Sequence, residues 1–346
     1  MNRSREAGRI RNGQSLVATR LSRPLSTLTQ QIHMLLFDSR KFVSVAFDNE
    51  DEIERVTIEN AEYIFGPSSI YFPKKLIRTP DGTGTIPDGY VIDLESRIWY
   101  IVEAELAHHS VWSHIAPQVA KQIIASNTQE TKQRLIEFVI DQVRDDELLQ
   151  EKFADQKIEQ IDYRRVLNEI LQTDPIIGMP IDAIKNDLRE WAATLRVDVR
   201  LWLIRKYAEF NNPENIAYEI PEEFRPAIIS NRVENAERSN ARYDVSIGDL
   251  VDADLLSRGQ KLTMPYKPRN GEQKHYEATV LESGELEVMG RRFAAPSYAA
   301  LFGIQDAGSS RSTVNGWQVW RVDSGETLAD LREKLLETSG QPQSGG

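Results

Sequence analysis

At 346 residues, 40% hydrophobic and 27% charged, the chain has the composition of a globular protein and more length than one ordinary core needs, so two domains are expected. It contains no cysteine, which excludes disulfides, thiolate zinc sites and a cysteine nucleophile. The formal net charge of −11 weighs weakly against nucleic acid as a partner, because binding depends on local patches and not on the sum.

The first 45 residues read as a basic arm, with Arg3, Arg5, Arg9, Arg11, Arg20, Arg23, Arg40 and Lys41 against only Glu6 and Asp38. Residues 1–14 hold too little apolar surface to fold alone. The arm lacks the apolar stretch of a secretory signal, and no run in the chain matches the thickness of a bilayer, so a cytoplasmic protein without membrane contact is expected. A helix is predicted over Glu50–Asn60, with Ile53, Val56 and Ile58 as its apolar positions, and a short strand over Ser69–Phe72. Gly89–Glu95 alternates like a strand, Ser96 and Arg97 make a turn, and Ile98–Val102 reads as a second, more buried strand. Helices are predicted over Ala116–Ile124 and Thr128–Val143, with more helix through 145–172. Pro175–Ile181 reads as a buried strand, Ile184–Leu195 as an amphipathic helix, and Val197–Tyr207 as a strand. Strand, helix and strand in that order predict a parallel crossover. Trp99, Tyr100, Trp191 and Trp202 are assigned to the core.

Composition shifts after Pro221. A second pattern begins at Asp244, with a short helix, a hairpin of Tyr276–Leu281 and Leu286–Val288 turning at Ser283-Gly284, a helix capped by Ser297 and a closing strand Gln318–Val322. Trp317 and Trp320 are expected to fix its core. A last helix, Leu328–Leu336, precedes a tail of Gly, Ser, Gln and Pro that should be disordered. The predicted organisation is a basic arm (1–45), an α/β domain (46–222), a linker (223–243), a small α+β domain (244–323) and a helix with tail (324–346).

The chemical signal lies in Pro87-Asp88 and Glu103-Ala104-Glu105. Asp88 opens the first strand of the hairpin, and Glu103 and Glu105 end the second. Residues two apart share a strand face, so the hairpin brings three carboxylates together. They repel one another unless a cation sits between them. Mg²⁺ takes oxygen ligands, so these carboxylates with the backbone carbonyl of Ala104 suit it, and such an ion activates water and stabilises charge on a phosphate. The plainer reading is a solvated hairpin end.

Pro87-Asp88, the strand Ile98–Val102 and Glu103-Ala104-Glu105 resemble the PD-(D/E)xK nuclease superfamily, with Glu105 where Lys is usual. Gln118 heads a predicted helix, as an extra Gln of the superfamily does, and Glu50-Asp-Glu-Ile-Glu54 resembles the helix that supplies a further acid, Glu50 or Glu54 here. The resemblance spans about 50–220 and implies a restriction-endonuclease-like α/β core with Mg²⁺ or Mn²⁺ held by Asp88, Glu103, Ala104 and Glu105. It implies that Glu105 binds metal or acts as general base and that Gln118 positions water or phosphate. Glu50 is the weaker fifth catalytic member, and Lys121, one turn after Gln118, is a candidate for the missing positive charge. By analogy with restriction enzymes of the superfamily, a homodimer is also considered.

His108, His109 and His114 follow closely. A zinc reading is disfavoured because no helical His-x-x-x-His pair exists and cysteine is absent. His109 and His114 either contact a phosphate and shape the entrance or pack the turn before the Gln118 helix; His108 is read as a packing residue.

The second pattern resembles the RAMA domain associated with restriction-system adenine methylases, on Pro296-Ser297…Ala299-Ala300 and Asn315-Gly316-Trp317…Trp320. That resemblance implies recognition of DNA, modified DNA included, and no catalysis. Lys261, Lys267, Arg269, Lys274, Arg291, Arg292 and Arg311 are candidates for a phosphate-contacting face, against the alternative of an ordinary mixed-charge surface. The functional expectation is metal-dependent hydrolysis of DNA in restriction or anti-phage defence. The alternative is a catalytically inactive nuclease-fold protein that binds or senses DNA, and RNA as substrate is not separable from DNA by sequence.

Overall fold

Apolar runs too short for helices converge on one sheet, and the helices around it are amphipathic enough to cover it. The computed structural model describes residues 34–74, 77–221, 225–230, 244–268 and 271–339. The arm up to residue 33, most of the expected linker, Arg269 and the tail from 340 lie outside the described residues.

Strands β1 (Met34–Phe37) and β2 (Arg40–Val45) form a hairpin and are followed by α1 (Glu50–Glu59), α2 (Ala61–Phe65) and β3 (Ser69–Pro73). The short pair β4 (Ile77–Arg78) and β5 (Gly84–Thr85) precedes the hairpin β6 (Gly89–Asp93) and β7 (Ile98–Val102). A π-helical turn at Val111–Ile115 leads into α3 (Ala116–Ser126), then α4 (Gln129–Asp145), α5 (Glu147–Asp155) and α6 (Tyr163–Gln172). Next come β8 (Ile176–Ile181), α7 (Asn186–Ala192), β9 (Val199–Leu203), β10 (Arg205–Glu209), β11 (Asn212–Glu219) and β12 (Ala227–Ile229).

The main sheet has six strands in the order β12-β9-β8-β7-β6-β3. Neighbours β7, β8 and β9 run parallel, as the strand–helix–strand order requires, and the remaining pairs are antiparallel. Helices cover both faces, so β6 and β8 are buried along their whole length. The two-residue period of a strand sends Trp99 and Ile101 into one core with residues of α3, α4 and α6. Tyr100 and Val102 enter a second core with Ile53 and Val56 of α1 and Phe65 of α2. Trp99, Tyr100, Trp191 and Trp202 are all buried, in keeping with their assignment.

Three expectations change here. The predicted strand Val197–Tyr207 is two strands separated by Ile204: β9 stays in the main sheet while β10 crosses into a second sheet of order β1-β2-β10-β11. Continuous alternation cannot reveal where a strand exchanges partners. Residues 34–45, expected in the basic arm, supply β1 and β2 of that sheet, and Ala227–Ile229, expected in the linker, pairs with β9 as an edge strand.

The C-terminal part comprises α8 (Ile247–Asp252), β13 (Lys261–Tyr266), β14 (Lys274–Val280), β15 (Leu286–Val288), β16 (Arg291–Phe293), α9 (Pro296–Asp306), α10 (Gly316–Val319) and α11 (Leu328–Ser339). The four strands form an antiparallel meander, turning at Gly284 with φ 78°, around a core of its own that includes Trp317, Trp320 and Leu328. The expected closing strand 318–322 is a helical turn running into isolated bridges from Arg321 to Thr263 and to Thr327. Ser297 does not cap α9; its Oγ accepts the Gly316 N–H at 3.1 Å, and the Trp320 indole donates to the Pro296 carbonyl at 3.1 Å. A Cβ at residue 316 would overlap the Pro296 backbone, which explains the glycine between Asn315 and Trp317.

The two cores are joined by polar contacts from residues 311–315. Arg311 pairs with Asp155 and Glu151 of α5, the Tyr63 hydroxyl donates to the Ser312 carbonyl at 3.0 Å, and Asn315 donates to Glu95 at 3.3 Å. Glu95 lies in the turn between β6 and β7, so docking occurs at the end of the hairpin remote from its carboxylates. Among the described residues, no helix is long and apolar enough to cross a membrane.

Candidate active site

The β7 backbone stays extended past its last strand residue. Glu103 N–H donates to Gly178 O and Glu105 N–H to Pro180 O, each at 3.0 Å, so the segment remains stitched to β8. Alternation continues with it: Ala104 and Leu106 join the core of Val102, which leaves Glu103 and Glu105 on the other face, that of Trp99 and Ile101, where α3 packs. Asp88, just before β6, reaches across the hairpin and its Oδ2 accepts the Ala104 N–H at 2.9 Å. The expected trio is thereby brought together.

Glu103 and Glu105 are only 1% and 2% exposed. Burial and the charges of neighbouring carboxylates both disfavour ionisation. Burial first, then the charges of Glu54 and Glu50, push the Asp88 carboxyl up to about 6 against the opposing Ala104 N–H and Lys74. Burial and Asp88 hold Glu103 well above the carboxylate range, and burial with Glu50 pushes Glu105 up to about 8. Two buried acids and a half-buried one, each raised by burial and by neighbouring carboxylates, are the arrangement a dication relieves. The donors on offer, three carboxylates and the Ala104 carbonyl, are all oxygen and fit a hard ion such as Mg²⁺.

Helix α3 presents Gln118 and Gln122 one turn apart to Glu103. Gln118 Nε2 donates to Glu103 Oε2 at 2.6 Å and Gln122 Nε2 donates to Glu103 Oε1. Gln118, expected to position water or phosphate, thus holds a carboxylate in place. Gln122 has the same role and was missed; its i+4 spacing from Gln118 was the available signal. Two buried polar atoms nearby, Tyr90 OH and Gln122 Oε1, have no hydrogen-bond partner among the described residues.

The cation of the site is Lys74, which sequence reading also missed. Its Nζ lies 2.8 Å from Glu54 and 3.9 Å from Asp88 Oδ1. Lys121, the candidate for that charge, is exposed on α3. Lys74 arrives by strand register: Pro73 pairs with Gly89, and the Lys74 N–H donates to the Asp88 carbonyl at 3.1 Å. The Tyr71 hydroxyl donates to that carbonyl at 3.2 Å, across a space that any Cβ on Gly89 would fill.

Glu50, at the start of α1, meets Glu105 on the far side of the trio together with two imidazoles. His109 Nδ1 is 2.6 Å from Glu50 Oε1 and 3.1 Å from Glu105 Oε2; His114 Nε2 is 3.6 Å from Glu50 Oε1 and 3.9 Å from Glu105 Oε1. His108 is exposed and stacks edge-on against His109.

The basic candidates of the C-terminal part are dispersed and largely paired with acids. Lys261 bonds Glu277 at 3.1 Å, Lys274 lies 3.6 Å from Asp306, Arg292 lies 3.7 Å from Glu287, and Arg291 stacks over Phe302. Lys267 is exposed. Arg311, expected on a phosphate-contacting face, is instead an interdomain ion pair, because Asp155 and Glu151 already occupy its guanidinium.

Residues 230–341 match the family model described as Restriction Enzyme Adenine Methylase Associated, or RAMA. The match takes in the whole C-terminal core, including β13 and α11, beyond the 244–323 read from sequence. No curated protein and no solved structure matches the chain.

Proposed function

We propose that this chain is a divalent-metal-dependent deoxyribonuclease acting in a restriction or defence setting, with the RAMA segment contributing DNA recognition. The observation that carries this reading is the convergence of Asp88, Glu103, the Ala104 carbonyl and Glu105 at one end of a buried hairpin, with Lys74 against the acids. Asp88, Glu103 and the Ala104 carbonyl would hold Mg²⁺ or Mn²⁺. When bound, the ion supplies Lewis acidity to the phosphate and lowers the pKa of its water.

The chain's own residues do the rest. Gln118 and Gln122 fix both oxygens of Glu103, so its orientation does not depend on the ion. Lys74 offers positive charge where a phosphoryl oxygen accumulates negative charge. Glu105, buried beside Asp88 and Glu103, would serve either as a further ligand or, once the ion holds it ionised, as the base that takes a proton from water. Trp112, 63% exposed on the same turn as His114, offers an aromatic face to a base.

The test is incubation of the full chain with methylated and unmethylated plasmid, with Mg²⁺ or with a chelator. Cleavage is expected with Mg²⁺ alone and is abolished by Asp88→Asn or Glu103→Gln. Cleavage that survives the chelator would sink the metal site. Glu105 in place of the usual Lys favours a second reading, a DNA sensor that binds without cutting; retained gel-shift binding with intact plasmid in Mg²⁺ and in Mn²⁺ would establish it.

A further inference from the structure

Four side chains at the edge of the acid trio belong to a different chemistry from the trio itself. Glu50, Glu105, His109 and His114 each direct one ligand atom to a common point, and these atoms lie within 4.8 Å of one another. They come from three separately anchored pieces of chain. Glu50 sits in the first turn of α1, whose start is fixed by Asn49 accepting the Glu52 N–H at 3.0 Å. His109 ends a turn closed by its own N–H to Leu106 O at 2.9 Å, and Asp182 beyond β8 pins that turn through the Ala107 N–H at 2.6 Å. His114 lies in the π-helical turn Val111–Ile115, a rare conformation that occurs frequently at functional sites.

We propose that Glu50, Glu105, His109 and His114 bind a divalent transition-metal ion that accepts imidazole, of the Zn²⁺, Co²⁺ or Mn²⁺ class, beside the all-oxygen site of Asp88 and Glu103. Two imidazole nitrogens and two carboxylate oxygens suit such ions, whereas Mg²⁺ takes oxygen ligands. Four-coordinate Zn²⁺ with ligands at about 2.0–2.2 Å separates its donor atoms by about 3.3–3.6 Å. The nitrogen–oxygen separations of 2.6, 3.1, 3.6 and 3.9 Å bracket that spacing, so small side-chain rotations complete the shell. An acid in a first helical turn is favoured by the helix dipole without any ligand. That accounts for Glu50, but not for two imidazoles from different turns aimed at the same Glu50 oxygen. The assignment makes Glu105 a ligand shared between neighbouring sites and removes it from the role of base. It stands on this geometry and does not require the chain to cut DNA.

The experiment is titration of untagged, chelator-treated full-length protein with Co²⁺, followed by visible ligand-field absorption and by metal-to-protein ratio after desalting. Binding of Co²⁺ with nitrogen-type ligand-field bands is expected, and Zn²⁺ should displace it while a large excess of Mg²⁺ does not. His109→Gln and His114→Gln should each weaken binding by about tenfold or more and shift the bands. His114 is exposed, so His114→Gln should melt at the wild-type temperature in chelator, which separates ligand loss from unfolding. Absence of Co²⁺ bands in the wild type, or unchanged affinity in both histidine variants, would overturn the site in favour of imidazolium–carboxylate ion pairs. Plasmid cleavage is a separate readout: intact plasmid with normal Co²⁺ binding refutes the nuclease reading alone, and cleavage without Co²⁺ binding refutes this site alone.

Discussion

Lys74 reaches the acids from the end of β3, not from position 105, two residues after Glu103, where a lysine would complete the usual motif. Its side chain is 51% exposed, so its ion pairs with Glu54 and Asp88 add little to stability; on the proposed nuclease reading its charge serves the phosphate instead. Lys74→Ala should therefore lower single-turnover cleavage by about 10²–10³-fold, the scale of losing one charge-stabilising donor, with Lys74→Arg retaining more. Melting temperature should hardly move in either variant. Equal activity of wild type and Lys74→Ala would reduce Lys74 to a surface ion pair. Nothing local distinguishes this lysine from its neighbours; its importance depends on Pro73 pairing with Gly89, sixteen positions away by register.

At the scale of elements, the junction of α1 and β10 rests on a buried lysine. Lys206 Nζ lies 2.8 Å from Glu52 and 3.0 Å from Asp48, and Tyr218 donates to Glu52 at 2.8 Å. Burial raises the Glu52 carboxyl, but the bonds from Lys206, the Asp48 amide and Tyr218 outweigh it and hold it below the ordinary range. A carboxyl lowered only in the fold contributes fully above its unfolded value of about 4.3 and loses that contribution as pH falls through the folded value. Denaturant titrations should thus show stability declining below about pH 4.5, and less steeply in Lys206→Met. Lys206→Met should also cost about 2 kcal/mol at neutral pH. An identical acid slope in the variant would mean that Glu52 is not held by Lys206. In the C-terminal core, Gly316→Ala should cost more than about 3 kcal/mol, because backbone and not a flexible side chain fills the space a Cβ needs. Calorimetry of that variant reads the effect directly; a loss under 1 kcal/mol would show that the Pro296 turn yields.

At the scale of the molecule, the segment that matches the RAMA family model has its own apolar core but is fastened by polar contacts at residues 311–315. Arg311 is 28% exposed and paired with two acids of α5, so Arg311→Ala leaves Asp155 and Glu151 facing each other without a cation. Small-angle scattering should show a larger radius of gyration for Arg311→Ala, and calorimetry should show the two cores melting less cooperatively. An unchanged profile would place the docking energy elsewhere. Docking is at the β6–β7 turn, the end of the hairpin opposite Asp88, Glu103 and Glu105.

Much of this was open to reading from the chain alone. Alternation in Gly89–Val102 and the spacing of Asp88, Glu103 and Glu105 determined a hairpin with three acids at one end, because strand periodicity is local and hairpin pairing follows from it. The apolar pattern around Asn315-Gly316-Trp317 marked the C-terminal core for the same reason, although its last segment is a helical turn and not a strand. The partners of those acids were decided elsewhere. Gln122 depends on how α3 lies on the sheet, Lys74 on the β3–β6 register, and Glu50 with His109 and His114 on the meeting of α1, a pinned turn and a π-helical turn. The exchange of β10 into a second sheet and the use of Arg311 as a fastener likewise involve residues far apart in sequence. Each needs packing geometry that a one-dimensional pattern does not contain, since short-range periodicity fixes which face a side chain takes but not what stands opposite it.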